Sequence, residues 1–394
     1  MAACLIRGEA RSMRARTFLL NDDDGSQLQG AAPRDPSRSL ALVFGDARAP
    51  DLQARLGALR EALPGTPVVG CSSAGHVLGD EIQDQGLAVA LLEFEGVSVR
   101  TTSTPVQSPA DSFEAGRCIA QSLADPSLRA VLVYAEGLAI NGAQLAEGLA
   151  TTLPRDVAVA GGLAGDGDRF ERTWVCQGDR LGAGQVVAAG LYGEALQARC
   201  SSNGGWEPFG PVRCVTRSNG AELLELDNEP ALRVYKRYLG DLAAQLPASA
   251  LLFPLAVRVA QDSSDHIVRT VLGVHEEAGS LLFAGDIPQG AFAQLMRASP
   301  EHLIHAAERS GRCARPAEDA AQDCLSIVVS CVGRRLVLGQ RAEEELEAAL
   351  HALPPGALQT GFYSYGELAP MGEGACALHN QTMTLTTITE SLAA

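Results

Sequence analysis

Residues 130–160 read Ala-Val-Leu-Val-Tyr-Ala-Glu-Gly-Leu-Ala-Ile-Asn-Gly-Ala-Gln-Leu-Ala-Glu-Gly-Leu-Ala-Thr-Thr-Leu-Pro-Arg-Asp-Val-Ala-Val-Ala. Ala130–Tyr134 is a short apolar run of the kind that forms a buried strand. Residues 142–152 follow with helical spacing of Leu and Ala, and Val157–Ala160 supplies a second apolar strand after the Pro-Arg-Asp turn. Strand, helix, strand within thirty residues is the crossover that joins parallel strands. The same rhythm precedes it. Leu40–Phe44 reads as a strand, 50–62 as a helix, Val68–Gly70 as a strand ending in a glycine turn, and Leu87–Phe94 as a strand. Helix 109–124 comes next, with Asp111 and Ser112 near its start. Trp174–Cys176 and Gln185–Tyr192 add strands without intervening helices, so antiparallel pairs are expected too. The fold class is α/β with mixed sheets.

Outward from this region, the tract Ser201-Ser-Asn-Gly-Gly-Trp-Glu-Pro-Phe-Gly-Pro211 interrupts helix and central strand alike and marks a boundary. Beyond it we expect helix 229–245, strands near 251–259 and 267–275, and helices 290–298 and 300–310. A polar loop at 312–323, strand 325–332, helix 340–352, strand 358–365 and one long last strand, 376–389, complete the chain. Residues 1–37 read as a mobile lead-in, because 21–38 is rich in turn-formers. Residues 38–211 and 212–394 read as two packed α/β modules, with a ligand cleft between them and a shared surface that includes part of 361–385.

Composition narrows the function. With 46% apolar residues among 394, the chain has material for a large core. A formal charge of −16 argues against nucleic acid and against an anionic membrane surface. Lys236 is the only lysine among 31 basic residues, which excludes a Gly-Lys-Ser/Thr phosphate loop and leaves Schiff-base chemistry a single candidate. The ten cysteines include no Cys-x-x-Cys pair and no haem-attachment motif, as expected of reduced thiols in a cytoplasmic protein. No apolar run approaches the roughly 18–20 residues that span a bilayer. Met13 is an alternative start.

Three C-terminal runs concentrate the chemistry: Ser-Cys-Val-Gly-Arg-Arg at 330–335, Gly-Phe-Tyr-Ser-Tyr-Gly-Glu-Leu-Ala-Pro at 361–370, and Leu-His-Asn-Gln-Thr-Met-Thr-Leu at 378–385. Buried polar groups need partners, each unpaired one costing about 1–3 kcal/mol. Such runs therefore mark a site or a polar structural network. Period two places His379, Gln381, Met383 and Leu385 on one face of the last strand, with Asn380, Thr382 and Thr384 on the other. A neutral His379 can bind metal through one nitrogen while an acceptor holds the other; the competing role is a histidine satisfied by backbone. Arg334 and Arg335 can clamp a carboxylate or pair with acidic side chains such as Glu367. Tyr363, Tyr365 and Glu367 alternate on one strand face and suit a pocket wall or a core edge. His302 and His305 have metal-ligand spacing on a helix that is as readily a solvated face, and His76 follows a glycine turn. Gly70-Cys71-Ser72-Ser73-Ala74 approximates a nucleophile elbow, although the sequence after it suits a loop better than the required helix. Gly161-Gly-Leu-Ala-Gly-Asp-Gly167 lacks the dinucleotide-binding spacing and reads as a turn.

These runs, with Val-Val-Gly-Cys-Ser-Ser-Ala-Gly at 68–75, Gly161–Gly167 followed by Arg-Thr-Trp-Val at 172–175, Leu-Asp-Asn-Glu-Pro-Ala-Leu at 226–232 and Phe-Ala-Gly-Asp-Ile-Pro-Gln-Gly at 283–290, resemble the FIST family of prokaryotic sensory proteins over roughly 38–390. Within it the likeness is to the NosP proteins. That likeness implies non-covalent b-type haem, nitric oxide as ligand, a partner histidine kinase and no enzymatic turnover; it leaves a homo-oligomer open. For such a cofactor, strand geometry, the adjacent Met383 and hydrogen-bonding neighbours select His379 as iron ligand, with Met383, Gln381, Arg334, Arg335, Tyr363, Tyr365 and Glu367 as the expected surroundings. The alternatives are a haem-free sensor of a small carboxylated metabolite and, third, a hydrolase or thiol enzyme built on Ser72 or Cys71.

Overall fold

The computed structural model describes residues 13–21, 28, 30–246, 248–261, 266–317, 323–371 and 374–391. Of the expected lead-in, residues 1–12, 22–27 and 29 lie outside these. Arg14–Leu20, expected to be mobile, is instead a strand paired along its whole length with Leu87–Glu93.

Three six-stranded mixed sheets are built on one plan. In the first, Ser39–Asp46 runs parallel to Val68–Ser73, the helix Leu52–Ala62 provides the crossover, and Leu87–Glu93 returns antiparallel on the far side of Ser39–Asp46. In the second, Leu128–Ala135, helix Gly142–Ala150, Ala158–Leu163 and Gln185–Tyr192 repeat that arrangement. In the third, Leu325–Cys331, helices Val332–Leu338 and Ala342–His351, Leu358–Ser364 and Met383–Glu390 repeat it again. An earlier strand closes one edge of each sheet: Arg14–Leu20, Ser98–Pro105 and Leu196–Asn203 respectively.

The register repeats as well. Val43 faces Gly70, Val133 faces Gly161, and Val328 faces Gly361. At all three glycines a Cβ would collide with the carbonyl oxygen of that valine, and Gly161 and Gly361 also hold positive φ. Only glycine lets the parallel strand pass so closely.

The opposite edge of each sheet is a hairpin borrowed from another unit. Strands Val175–Gln177 and Arg180–Gly182 from the second unit extend the first sheet. Gly366–Pro370 and Cys376–His379 from the third extend the second, and His76–Leu78 and Glu81–Gln83 from the first extend the third. One aromatic from each sheet meets in the middle. Phe44 stacks on Phe362 at 5.0 Å, and Tyr134 sits edge-on to both at 5.5 and 5.9 Å. All three are fully buried.

Residues 207–297 form a nine-stranded antiparallel sheet inserted between the outer strand Leu196–Asn203 and the helix Pro300–Ala314 of the third unit. Its own core packs Val215, Leu223, Leu281 and Leu295 together with Val234 and Tyr235 of the helix Ala231–Leu239. A division at 211 therefore crosses the third sheet, because Leu196–Asn203 lies before it and its partner Met383–Glu390 beyond it.

Two expected elements differ. Residues 290–298 hold the strand Phe292–Arg297, which pairs with both Leu255–Arg258 and Arg213–Cys214. Sheet pairing on two sides outweighs the helix propensity of Ala-Gln-Leu-Met. The long last strand is broken in two. Cys376–His379 belongs to the second sheet, Met383–Glu390 to the third, and Gln381 adopts φ 62° at the break.

Candidate functional site

The break at 380–382 opens onto a cavity of about 560 Å³. It is bordered by the end of the outer strand through Trp206, by Ile267, Val268 and Met296 of the inserted sheet, and by Pro370, Met371, His379, Asn380 and Thr382. The break is fixed from outside: Trp206 Nε1 donates to the Gln381 carbonyl at 2.7 Å, and Gln381 Nε2 donates to the Leu251 carbonyl at 3.1 Å. The left-handed backbone of Gln381 is thus anchored at both ends of the residue.

His379 lies opposite Glu367 in the ladder. Its Nε2 lies 3.2 Å from the Ala369 carbonyl, and Nδ1 has no partner among the described residues. Burial pushes the imidazole pKa down to about 4, with buried Arg269 adding to the effect and the Ala369 hydrogen bond opposing it. The ring is therefore neutral at physiological pH, with Nε2 donating its proton and the Nδ1 lone pair free. Beside it, Asn380 is fully buried and neither of its amide atoms is paired; the Ser202 hydroxyl, also at the cavity, is unpaired too. Three buried polar atoms without partners on one wall leave it able to take a polar group that the protein does not itself supply.

The remaining expected site residues do not join His379. Met383 is fully buried in the third sheet and does not border the cavity. Arg334 lies on the helix Val332–Leu338, wholly buried, with Nε and Nη2 on Glu345 at 3.0 and 2.7 Å and further bonds to the Gly204 and Leu303 carbonyls. Tyr363 and Ser330 complete that network through Glu345 Oε1, at 2.9 and 3.0 Å. Arg334 and Tyr363 belong to a buried structural network and do not border the cavity. Tyr363, Tyr365 and Glu367 do not share a face, because the chain changes sheets at Tyr365. Glu367 is buried, accepts from Ser364 Oγ at 2.8 Å and from Thr382 N and Oγ1 at 3.1 and 2.9 Å, and has its pKa pushed up to about 8 by desolvation against those bonds.

Arg335 borders a different cavity, of about 500 Å³, with Asp46, Ser73, His76, Asp84 and Arg169. It grips Asp84 with two bonds of 2.9 and 2.8 Å, while Arg169 reaches Asp46 at 3.3 Å. His76 is buried, its Nε2 2.8 Å from the Gln85 carbonyl and its Nδ1 3.3 Å from Ser73 Oγ. The neighbouring Ser72 hydroxyl instead accepts from Trp174 N, and burial raises the Cys71 thiol well above its usual pKa. Neither has an activating base. His302 pairs with Glu207 at 3.4 Å on an exposed helix face. Among the described residues no three His, Cys, Asp or Glu side chains converge as a metal cage would require.

Sequence reasoning singled out His379 but put Asn380 on the opposite face and treated Trp206 as a mere boundary. The one available signal was the polar triplet 379–381 itself, too costly to bury in a regular strand.

The fold thus defines a mixed α/β protein with ligand-sized cavities where its sheets meet. Residues 39–229 match the FIST N domain and residues 231–370 the FIST C domain, so the chain belongs to the FIST family. Its role is accordingly in sensory signalling. No curated protein matches the chain. Among the described residues no helix is long and apolar enough to cross a membrane.

Proposed function

We propose that the chain is a non-enzymatic sensor that holds b-type haem through His379, reads nitric oxide and regulates a partner histidine kinase. The observation that carries this reading is the state of His379: a half-buried, neutral imidazole at a cavity of about 560 Å³, with one nitrogen oriented by a backbone carbonyl and the other unpartnered among the described residues. That is the arrangement by which proteins orient a metal-ligating histidine. Trp206, Ile267, Val268 and Met296 supply an apolar wall for a macrocycle, with Trp206 itself held by the Gln381 carbonyl. Arg334 and Arg335 do not hold propionates there. No guanidinium borders this cavity among the described residues, so a haem bound there would depend on solvent, not arginine, to neutralise its propionates. Bound iron would supply the site for nitric oxide; the chain's part is to orient His379 and exclude water.

Signal output follows from differential binding between two arrangements of the sheets. The cavity touches the second sheet, the third sheet and the inserted sheet, so a ligand change there acts on all three. The test is kinase autophosphorylation measured without sensor, with unliganded sensor and with nitric-oxide-treated sensor. Different rates for the last two, with the difference lost in His379→Ala, support the reading. Equal rates in all three, with a kinase shown to bind the chain, overturn it.

The haem-free metabolite reading rests on the Arg335 and Arg169 cavity, at the carboxyl ends of the parallel strands Ser39–Asp46 and Val68–Ser73. There both guanidinium groups already engage aspartates, so a carboxylate ligand must displace Asp84 or Asp46.

A further inference from the structure

A third cavity, of about 340 Å³, lies where the second unit meets the inserted sheet. Half of the large apolar side chains left exposed among the described residues converge on it: Leu138 and Phe170 from one side, Leu272 and Leu282 from the other. Each is more than a third exposed. No charged side chain borders it, in a chain whose formal charge is −16. The other cavities described here carry aspartates, arginines or histidines. This one offers nothing to an ion.

Its floor is an aromatic pair. Phe170 stacks on Tyr365 with centroids 4.4 Å apart and planes 16° from parallel. Phe170 holds φ 53°, a left-handed conformation that bulky side chains rarely adopt. The conformation is imposed by Asp166, whose carboxylate accepts the backbone N–H groups of Phe170, Glu171 and Arg172 at 2.9, 3.0 and 2.9 Å and also takes the Tyr365 hydroxyl. Burial works against that charge, yet the Tyr365 and backbone bonds keep the Asp166 pKa below its usual value. A buried carboxylate thus spends its hydrogen bonds on presenting one aromatic ring to solvent. Backbone strain of this kind gathers where a fixed geometry serves a ligand, and an exposed apolar patch of this kind marks a binding surface.

We propose that this cavity is a second ligand site, for a small, flat, uncharged aromatic molecule that stacks on Phe170. Volume and wall chemistry set the class: two or three fused or linked rings, with no carboxylate or ammonium. Because Leu272 and Leu282 come from the inserted sheet and Leu138 and Phe170 from the second unit, an occupant ties the two together. The site is independent of the haem reading, since none of its lining residues borders the His379 cavity.

The test uses the full chain and N-phenyl-1-naphthylamine, an uncharged aromatic dye whose fluorescence rises in apolar surroundings. Saturable binding of one dye per chain is expected. Phe170→Ala should weaken it at least about tenfold through loss of the stack and its buried area. Leu282→Glu, which puts a charge in the wall, should abolish saturation, while Val259→Glu on an exposed position away from the cavity leaves it unchanged. Circular dichroism melts confirm that each variant folds. Dye binding that is absent, or that is indifferent to both Phe170→Ala and Leu282→Glu, overturns the proposal. So does sedimentation showing a wild-type dimer that Leu282→Glu dissociates, because the patch would then be a subunit interface.

Discussion

Glu367 shows at the scale of one residue what burial does to a site. With its pKa pushed up to about 8 by desolvation, it keeps its proton at neutral pH. An acid raised in the folded state binds protons more tightly there than in the unfolded chain. Its contribution to stability is then complete below its ordinary pKa near 4.5 and is lost as pH rises through about 8. The melting temperature of the wild type should fall between pH 6 and 9, and Glu367→Gln, which mimics the protonated acid, should flatten that fall. A Glu367→Gln profile parallel to the wild type would show that another group is responsible. Arg334 and Glu345 are a second case, both wholly buried and paired at 2.7 Å. Glu345→Ala leaves a buried guanidinium without its counter-ion and should cost about 3–5 kcal/mol in denaturant unfolding. That Arg334 is structural was not legible in the sequence, where the adjacent arginines look alike. One turns into the core toward Glu345, the other out toward Asp84, and only the phase of a helix absent from the sequence reading separates them.

At the scale of elements, the most regular device is the glycine on the second parallel strand of each sheet. Gly361→Ala meets both a strained φ of 152° and the Val328 carbonyl, and should cost about 3 kcal/mol. Gly70→Ala should cost a similar amount through the Val43 carbonyl alone. Gly57→Ala in the helix Leu52–Ala62 has open space and should stabilise by up to about 1 kcal/mol. Equal melting temperatures for the Gly57 and Gly361 variants would refute the close-approach account. The central strands of the first two units were readable because short apolar runs between turn-formers are fully buried in a parallel sheet, whereas the half-exposed strands Arg14–Leu20, Glu81–Gln83 and Ser98–Pro105 were not. The break at 380–382 was not. It depends on Trp206 and Leu251, both more than a hundred residues away, and no local pattern reports such anchors.

At the scale of the whole molecule, three exchanged hairpins bind the units into one body. Each unit gives its hairpin to the sheet of another, so no unit is complete alone. Residues 1–211 or 212–394 expressed separately should lack cooperative unfolding and regain it when co-expressed. A well-dispersed, cooperatively melting fragment from either half would contradict the exchange. The fold class was legible from strand and helix rhythm, but the threefold plan was not: its units share little beyond one glycine each, and the inserted sheet splits the third.

Everything proposed for the signal rests on His379 holding haem. The most direct test is the visible absorption spectrum of the chain purified from haem-replete cells, beside that of His379→Ala. The account predicts a Soret band at one haem per wild-type chain, shifted by nitric oxide, and loss or displacement of that band in the folded variant. Colourless wild-type protein that also refuses added haemin, or a variant with unchanged haem content and nitrosyl spectrum, would contradict it.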